Sequence, residues 1–234
     1  MPKLSKNSRV FSKVRGHIRL FSFVKRTQNS YLIFWEEIVS RYRSFGRMHG
    51  QQSLAPNMTY TPQHIANYFL ERAELEGVRL SPLKLIKLVY IAYGWGLALL
   101  GKRLYNEDIE AWKHGPVIPS IYHEFKEFGS GVIDRRAYDL DLDTLDFYAP
   151  QVEEDDDQTR LVLDRVWASY RRFTGWQLRE KTHEPDSPWS KVFKDNVRGI
   201  TLNDDDIKQH FAEKIGGYLE AANAIHVERP SNQT

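Results

Sequence analysis

The chain has 234 residues, of which 41% are hydrophobic and 13% aromatic, so it can bury a core of ordinary size and is not expected to be disordered over most of its length. It contains no cysteine, which excludes a disulfide framework, a thiolate metal site and a cysteine nucleophile, and favours a reducing, cytoplasmic location. The longest uncharged run in the folded part, residues 88–101, is shorter than the roughly 20 apolar residues of a membrane-spanning helix. We therefore predict no membrane partner.

Positive charge is concentrated near the N-terminus. Residues 1–57 hold eleven Lys and Arg against two Glu, a net charge of +9. The remaining residues hold 22 Lys and Arg against 29 Asp and Glu, a net charge of −7. Such asymmetry indicates parts with different roles or origins. We therefore predict a basic N-terminal extension and linker over residues 1–57, a folded domain over 58–226 and a disordered tail over 227–234.

Three interpretations of residues 1–57 remain open. The segment is a translated region upstream of a true start at Met58, a basic arm that contacts nucleic acid or an acidic partner, or a targeting peptide. Nucleic-acid binding by the folded domain is not expected, because its net negative charge opposes counterion release from phosphates. If DNA is bound, residues 1–57 are the candidate.

Two helix-start signals follow the linker. Thr61-Pro62 and Ser81-Pro82 each place a capping residue before a proline at the first helical position, and Gly77 ends the first helix. The second helix runs to about Leu100 and is apolar on almost every face, which is typical of a central helix packed on several sides. The flanking lysines, Lys84 and Lys87 among them, are expected to reach solvent. Within the helix, Gly94 and Gly96 indicate close packing or a bend.

The rest of the chain alternates turns with shorter helices. Alternation over residues 108–113 predicts a short strand, a helix begins at Pro119, and residues 134–157 form an acidic loop. Amphipathic spacing over 159–173, a capping-box pattern at Thr174 and Gln177, and a cap at Asn203 predict three more helices, and residues 182–189 are predicted to form a rigid loop. The fold class is mainly α: a compact domain of six to seven helices with one small strand pair near 108–118.

No common catalytic signature is present. His123-Glu124 does not continue as a zinc-protease motif, and no phosphate-binding or nucleophile-elbow pattern occurs. The chain is therefore predicted not to be an enzyme and to need no metal or cofactor. The alternative is a metal or acid–base site in which His114 and His183 meet Asp108, Glu110 or Glu184. Otherwise each histidine fixes its own loop by hydrogen bonding to the backbone.

Several tryptophans lie at helix ends or in loops stiffened by proline and glycine. They are Trp95, Trp112, Trp176 and Trp189. Tryptophan is enriched at protein interfaces because it offers a large rigid contact area and a polar N–H group. Rigid loops also lose little conformational entropy on binding. The pattern favours a protein-binding surface, although each tryptophan taken singly is also consistent with a cap on the core.

Two blocks of residues resemble a known family. The first comprises Leu83–Tyr90, Gly94-Trp95, Leu104-Tyr105, Glu110–Pro119 and Tyr122. The second comprises Trp176-Gln177-Leu178, Thr182-His183 and Ser187-Pro188-Trp189. Together they are similar to the signature of the Panacea antitoxin domain, the family of SocA-like and phage-associated GepA-like antitoxins. The resemblance covers roughly residues 60–215 and leaves residues 1–57 outside it.

The resemblance implies an antitoxin of a bacterial or phage toxin–antitoxin system. Such a protein neutralises a cognate toxin, usually encoded by an adjacent gene, by direct protein contact. In the SocA branch the resemblance implies instead an adaptor that delivers the toxin to a ClpXP-type protease, and the sequence does not choose between these mechanisms. The residues carried over from the family motifs as candidates for partner binding are Lys84, Lys87, Tyr90, Trp95, Trp112, His114, Gly115, Pro116, Pro119, Tyr122, His183, Pro188 and Trp189.

Overall fold

The computed structural model describes residues 60–141 and 144–227, with side chains described as far as residue 217. The predictions made for residues 1–57 and for the tail beyond Val227 lie outside this part of the chain. Within it, the fold is mainly helical, as predicted. The helices are α1 (Pro62–Glu76), α2 (Pro82–Leu100), α3 (Pro119–Phe125), α4 (Asp157–Tyr170), α5 (Gly175–Thr182), α6 (Pro188–Val192) and α7 (Asp204–Val227), and a 3₁₀ turn (Lys126–Phe128) follows α3.

The central element is α2, which contacts α1, α3, α4, α5 and α7. Its side chains are buried from Lys84 through Leu97, because apolar residues on every face need neighbours on every side. Among the described helices, α2 alone is long and apolar enough to cross a membrane by length and composition, but 78% of its most apolar window is buried inside the fold. It is therefore packed as the core helix that the sequence predicted.

Two glycines allow neighbouring elements to approach α2 closely. A Cβ atom on Gly94 would lie 2.0 Å from Cδ2 of Phe211 on α7. One on Gly96 would lie 2.6 Å from Cγ of Leu104. Both separations are far below van der Waals contact, so the close packing expected at these positions is confirmed.

The helix boundaries follow the local signals. Ser81 accepts a hydrogen bond from the backbone N–H of Lys84, and Gly77 adopts the left-handed conformation that ends α1, with φ of 65°. The capping box at α5 is reciprocal: the N–H of Gln177 donates to Oγ1 of Thr174 at 3.2 Å, and the N–H of Thr174 donates to Oε1 of Gln177 at 2.8 Å. These caps satisfy backbone groups that a helix end leaves unpaired.

Two small antiparallel strand pairs complete the described part. The predicted pair consists of β1 (Glu110–Trp112) and β2 (Gly115–Val117), in the register Trp112↔Gly115 and Glu110↔Val117. The second pair, β3 (Asp139–Leu140) with β4 (Phe147–Tyr148), was not predicted. Its strands are two residues long, which is too short to give a period in the sequence.

The predicted loop over residues 182–189 is shorter than expected. Thr182 is the last residue of α5, and Pro188 and Trp189 are the first two residues of α6. Ser187 caps α6 by accepting a hydrogen bond from the N–H of Ser190 at 3.2 Å. A Ser-Pro pair is the same start signal that opens α2, so the sequence held the information for this boundary.

Candidate partner-binding site

A buried lysine on α2 fixes the turn between β1 and β2. Lys87 is 0% exposed, and its ammonium nitrogen donates a hydrogen bond to the carbonyl oxygen of Pro116 at 2.8 Å. Burial lowers the pKa of Lys87 well below its ordinary value, and the nearby charge of Arg179 lowers it further. The expectation that Lys87 reaches solvent is therefore wrong. Lys84 is also buried and donates to the carbonyl oxygen of Arg171 at 2.6 Å.

Gly115 lies where three elements meet. Its φ is +98°, a conformation that L side chains rarely adopt. A Cβ atom there would lie 2.6 Å from Nζ of Lys87, 2.8 Å from Cε1 of His183 and 2.9 Å from Oγ1 of Thr182. Glycine is thus required for two reasons, the backbone conformation and the lack of space. Through this contact the turn between β1 and β2 packs directly against the end of α5.

The segment between α5 and α6 is held by its own hydrogen bonds. Oγ of Ser187 donates to the carbonyl oxygen of Thr182 at 3.1 Å. Nδ1 of His183 lies 2.7 Å from the carbonyl oxygen of Arg179; because a carbonyl only accepts, Nδ1 carries the proton. Burial lowers the pKa of His183 below its ordinary value, so the ring is neutral at neutral pH. This geometry favours the interpretation in which the histidine fixes its loop.

The two motif blocks meet through their tryptophans. The indole N–H of Trp189 donates to the carbonyl oxygen of Trp112 at 2.8 Å. The Trp189 ring lies 3.8 Å from the His183 ring, and the Trp112 ring makes an edge contact with Tyr122 at 4.8 Å between centroids. The ring contacts and this hydrogen bond together link α3, the β1–β2 hairpin and α6.

A second part of the same surface involves α5. The His114 ring, which is exposed, contacts the edge of the Trp176 ring at 5.8 Å between centroids. Trp176 is 60% exposed, and the guanidinium of Arg179 lies over its ring at 5.5 Å. We call the surface made by these two parts the aromatic face; its members are Trp112, His114, Tyr122, Trp176, His183 and Trp189.

The structure divides the thirteen motif residues by burial. Six have side chains that are exposed or half-buried: Trp112, His114, Pro119, Tyr122, His183 and Trp189. Seven are buried: Lys84, Lys87, Tyr90, Trp95, Gly115, Pro116 and Pro188. Of the buried set, Tyr90 packs against Phe211 on α7, and Trp95 packs edge-on against Tyr170 on α4. The first set is accessible to solvent, while the second set shapes and supports the surface.

The histidine and carboxylate cluster considered as a metal or acid–base site is not assembled. Glu184 pairs with Lys214, Glu110 accepts a hydrogen bond from the indole of Trp112 at 2.7 Å, and Asp108 lies 3.9 Å from Arg103. In the part of the chain that the structure describes, no group of three or more His, Asp or Glu residues is arranged to hold a metal ion. Each carboxylate named for that site is thus engaged with another residue.

Two supporting residues were missed in the sequence. Phe193 stacks on Trp189 at 4.5 Å between centroids, and Arg179 covers Trp176. Phe193 lies four positions after Trp189, and Arg179 lies three after Trp176. Those spacings place side chains on one side of a helix, so the sequence carried a signal for both pairs.

Fold and site together define a helix-dominated domain with a preformed aromatic surface on α3, the β1–β2 hairpin, α5 and α6. Residues 85–190 match the family described as Antitoxin SocA-like, Panacea domain. Over 143 residues the chain is 32% identical to Antitoxin SocA from Caulobacter vibrioides (strain NA1000 / CB15N), a match that covers 58% of this chain and 75% of that protein. No solved structure matches.

The chain belongs to the SocA-like Panacea antitoxin family. The resemblance carried by the two motif blocks is therefore confirmed. Membership assigns an antitoxin role, with a toxin as the general class of partner, and it points to a role other than catalysis.

Proposed function

We propose that this protein neutralises a toxin by direct protein–protein binding through the aromatic face. The observation that carries the proposal is the hydrogen bond from Trp189 to Trp112, which joins both family-motif blocks into one surface. Large aromatic side chains bury much apolar area for little loss of side-chain entropy. Because Lys87 and Gly115 already fix the turn, little backbone ordering remains to oppose binding.

The partner we propose is the product of an adjacent gene in a bacterial or phage toxin–antitoxin pair, acting in the cytoplasm. Co-expression tests this directly. The neighbouring gene alone should arrest growth, and this protein should restore it. A neighbouring gene that is harmless, or growth that stays arrested when this protein is present, would refute the proposal.

Substitutions on the aromatic face locate the contact. Trp176→Ala and His114→Ala remove exposed side chains, so we expect normal folding and toxin affinity weaker by about tenfold or more, as at interface hot spots. Leu75→Ala is the matched control, because Leu75 is 72% exposed on α1 and lies outside the motif blocks. Affinity measured by calorimetry should be unchanged in the control. Equal affinities for all four proteins would remove the aromatic face from the proposal while leaving the antitoxin role intact.

Occlusion of the toxin and its delivery to a ClpXP-type protease both begin with this binding step. Rescue in cells that lack ClpX distinguishes them. Occlusion predicts that rescue persists there, whereas delivery predicts that rescue is lost and that the toxin is degraded in vitro only when protease and antitoxin are both present.

A further inference from the structure

Arg179 on α5 is a half-buried cation beside the aromatic face. Its guanidinium lies over the ring of Trp176 at 5.5 Å, and its Nε atom is buried without a hydrogen bond to any described residue. In the part of the chain that the structure describes, no carboxylate forms an ion pair with it. Five other arginines do pair with Asp or Glu: Arg72, Arg103, Arg135, Arg136 and Arg171.

The charges that act on the neighbouring histidines show that this region is positive. Burial lowers the pKa of His114 below its ordinary value. The charges of Arg179, Lys113 and Lys87 all lower it further. Burial and the charges of Arg179 and Lys87 lower the pKa of His183 in the same way. Positive charges from α5, from the β1–β2 turn and from α2 therefore converge on the aromatic face.

The carboxylates of neighbouring elements are engaged elsewhere. Glu110 on β1 accepts an indole N–H, and Glu184 pairs with Lys214 on α7. Glu180 follows Arg179 on α5, where successive side chains point about 100° apart, and no ion pair joins the two. Within the described fold, the charge of Arg179 is thus available to a partner.

The chemistry of a guanidinium narrows the class of ligand. Its planar N–H groups bind carboxylates and phosphates in a bidentate way. A nucleic acid would bring many phosphates to residues 58–234, whose net charge is −7, and repulsion opposes such binding. An acidic side chain of a protein brings a single charge, which a local positive patch can hold. The local chemistry therefore favours Asp or Glu on a protein.

We propose that the toxin presents an Asp or Glu side chain to the guanidinium of Arg179, with Lys113 as a second cation beside it. Trp176 and His114 border this position, and the apolar ring of Trp176 keeps water from one side of the guanidinium, which strengthens the ion pair. This inference rests on the proposed function, because it names the chemistry by which the aromatic face recognises its partner.

Substitutions at Arg179 test the contact in the full chain, by calorimetry with the product of the neighbouring gene. Arg179→Gln removes the charge and should weaken binding by about tenfold or more, as at interface hot spots. Arg179→Lys keeps the charge but not the bidentate geometry, so a smaller loss is expected. The control is Arg79→Gln, because Arg79 is exposed between α1 and α2 and lies outside the motif blocks. Thermal unfolding confirms that the variants fold, and an Arg179→Gln affinity equal to that of the wild type would overturn the proposal.

Charge exchange separates a direct ion pair from a loss of packing. Arg179→Glu should abolish growth rescue, because two carboxylates then face each other. From a randomised toxin gene, toxins that this variant neutralises can be selected, and each is shown to be still toxic alone. We expect them to carry Lys or Arg in place of one Asp or Glu. Rescue that survives Arg179→Glu, or selected toxins that keep every acidic residue, would contradict the ion pair.

A measurement on the wild-type protein needs no toxin. Two capped peptides of equal length, one alternating Leu with Glu and the other Leu with Gln, are titrated at low ionic strength. The indole N–H resonance of Trp176 is followed by NMR. The Glu peptide should bind about fivefold more tightly, the scale of one ion pair near a protein surface. Equal binding of the two peptides would overturn the acidic contact even if growth rescue succeeds, whereas failed rescue with the Glu preference intact would refute the proposed function.

The same substitution tests for a nucleic acid as the occupant. A labelled single-stranded oligonucleotide should bind the wild type and Arg179→Gln to the same extent, because the folded domain is acidic. Oligonucleotide binding that Arg179→Gln abolishes would show that the patch holds phosphates, and the acidic protein side chain would then be the wrong ligand.

Discussion

Trp189 and Trp112 are 77 positions apart, yet the indole N–H of one donates to the carbonyl oxygen of the other at 2.8 Å. This hydrogen bond ties the start of α6 to the end of β1. Trp189 also stacks on Phe193 and contacts His183, and Trp112 contacts Tyr122. Both family-motif blocks therefore meet at this pair of residues, and they meet again where Gly115 packs against Thr182 and His183.

Replacing Trp189 by phenylalanine tests the hydrogen bond. Trp189→Phe keeps an aromatic ring but leaves the carbonyl oxygen of Trp112 without its donor, which should lower the free energy of unfolding by about 1–3 kcal/mol. Trp176→Phe is the control, because the Trp176 side chain is largely exposed; a change within about 0.5 kcal/mol is expected there. Urea denaturation measures both. A Trp189→Phe variant as stable as the control would show that the hydrogen bond does not hold the site.

A methyl group at position 115 should disrupt the turn for steric reasons. Gly115→Ala places Cβ against Lys87, Thr182 and His183, and we expect a loss of at least about 2 kcal/mol. Gly101→Ala is matched in backbone conformation, with φ of 66° and no atom within 4 Å of the added Cβ. It should lose only about 1 kcal/mol, the strain of the conformation itself. Similar losses in the two variants, measured by chemical denaturation, would mean that the neighbours of Gly115 move aside easily.

Two helical glycines should respond to alanine in opposite directions. Gly94→Ala drives a methyl group into the ring of Phe211, so overpacking should cost about 1–3 kcal/mol. Gly216 lies within α7 and has no atom within 4 Å of an added Cβ. Gly216→Ala should raise the free energy of unfolding by about 0.5–1 kcal/mol, because alanine loses less backbone entropy in a helix. A rise in thermal midpoint for Gly94→Ala would contradict the close approach of α2 and α7.

The depressed pKa of Lys87 predicts a stability change at alkaline pH. Below the pKa that Lys87 has in the folded protein, its side chain is protonated in both the folded and the unfolded state. Its contribution to the free energy of unfolding therefore does not change with pH in that range. Between the folded-state pKa and the ordinary value of 10.5, only the unfolded state stays protonated, so folding becomes more favourable as pH rises. The slope reaches about 1.4 kcal/mol per pH unit for one proton. Above 10.5 both states are neutral and the gain levels off.

Lys87→Met provides the comparison, since it keeps the length of the side chain but cannot titrate. Urea denaturation of both proteins between pH 7 and pH 9.5 should give a difference in unfolding free energy, wild type minus variant, that grows with pH. Tyrosines and other groups common to both proteins cancel in this difference. Curves that stay parallel over the whole range would show that Lys87 keeps an ordinary pKa in the folded protein.

The helices were largely predictable because their signals are local. Thr61-Pro62, Ser81-Pro82 and Thr174 with Gln177 lie within a few residues of the backbone groups that they cap. The missed strand pair, β3 with β4, shows the limit of prediction from local signals. Strands of two residues have no period in the sequence, and Asn67 reaches their base from 70 positions away. The aromatic face was only partly predictable. The motif residues were identified, but not which of them are exposed.

The sequence by itself determined the order of the helices, the central position of α2 and the family resemblance. The first two depend on residue types close together along the chain, and the third depends on short motifs that follow one another in a fixed order. Only the tertiary structure decided what each motif residue does. Lys87 was expected in solvent, but α2 is surrounded on all sides, and the carbonyl oxygen of Pro116 lies within its reach. Trp189 and Trp112 could be named from the sequence. Their hydrogen bond depends on how the β1–β2 hairpin and α6 pack together, and no local pattern encodes such a contact.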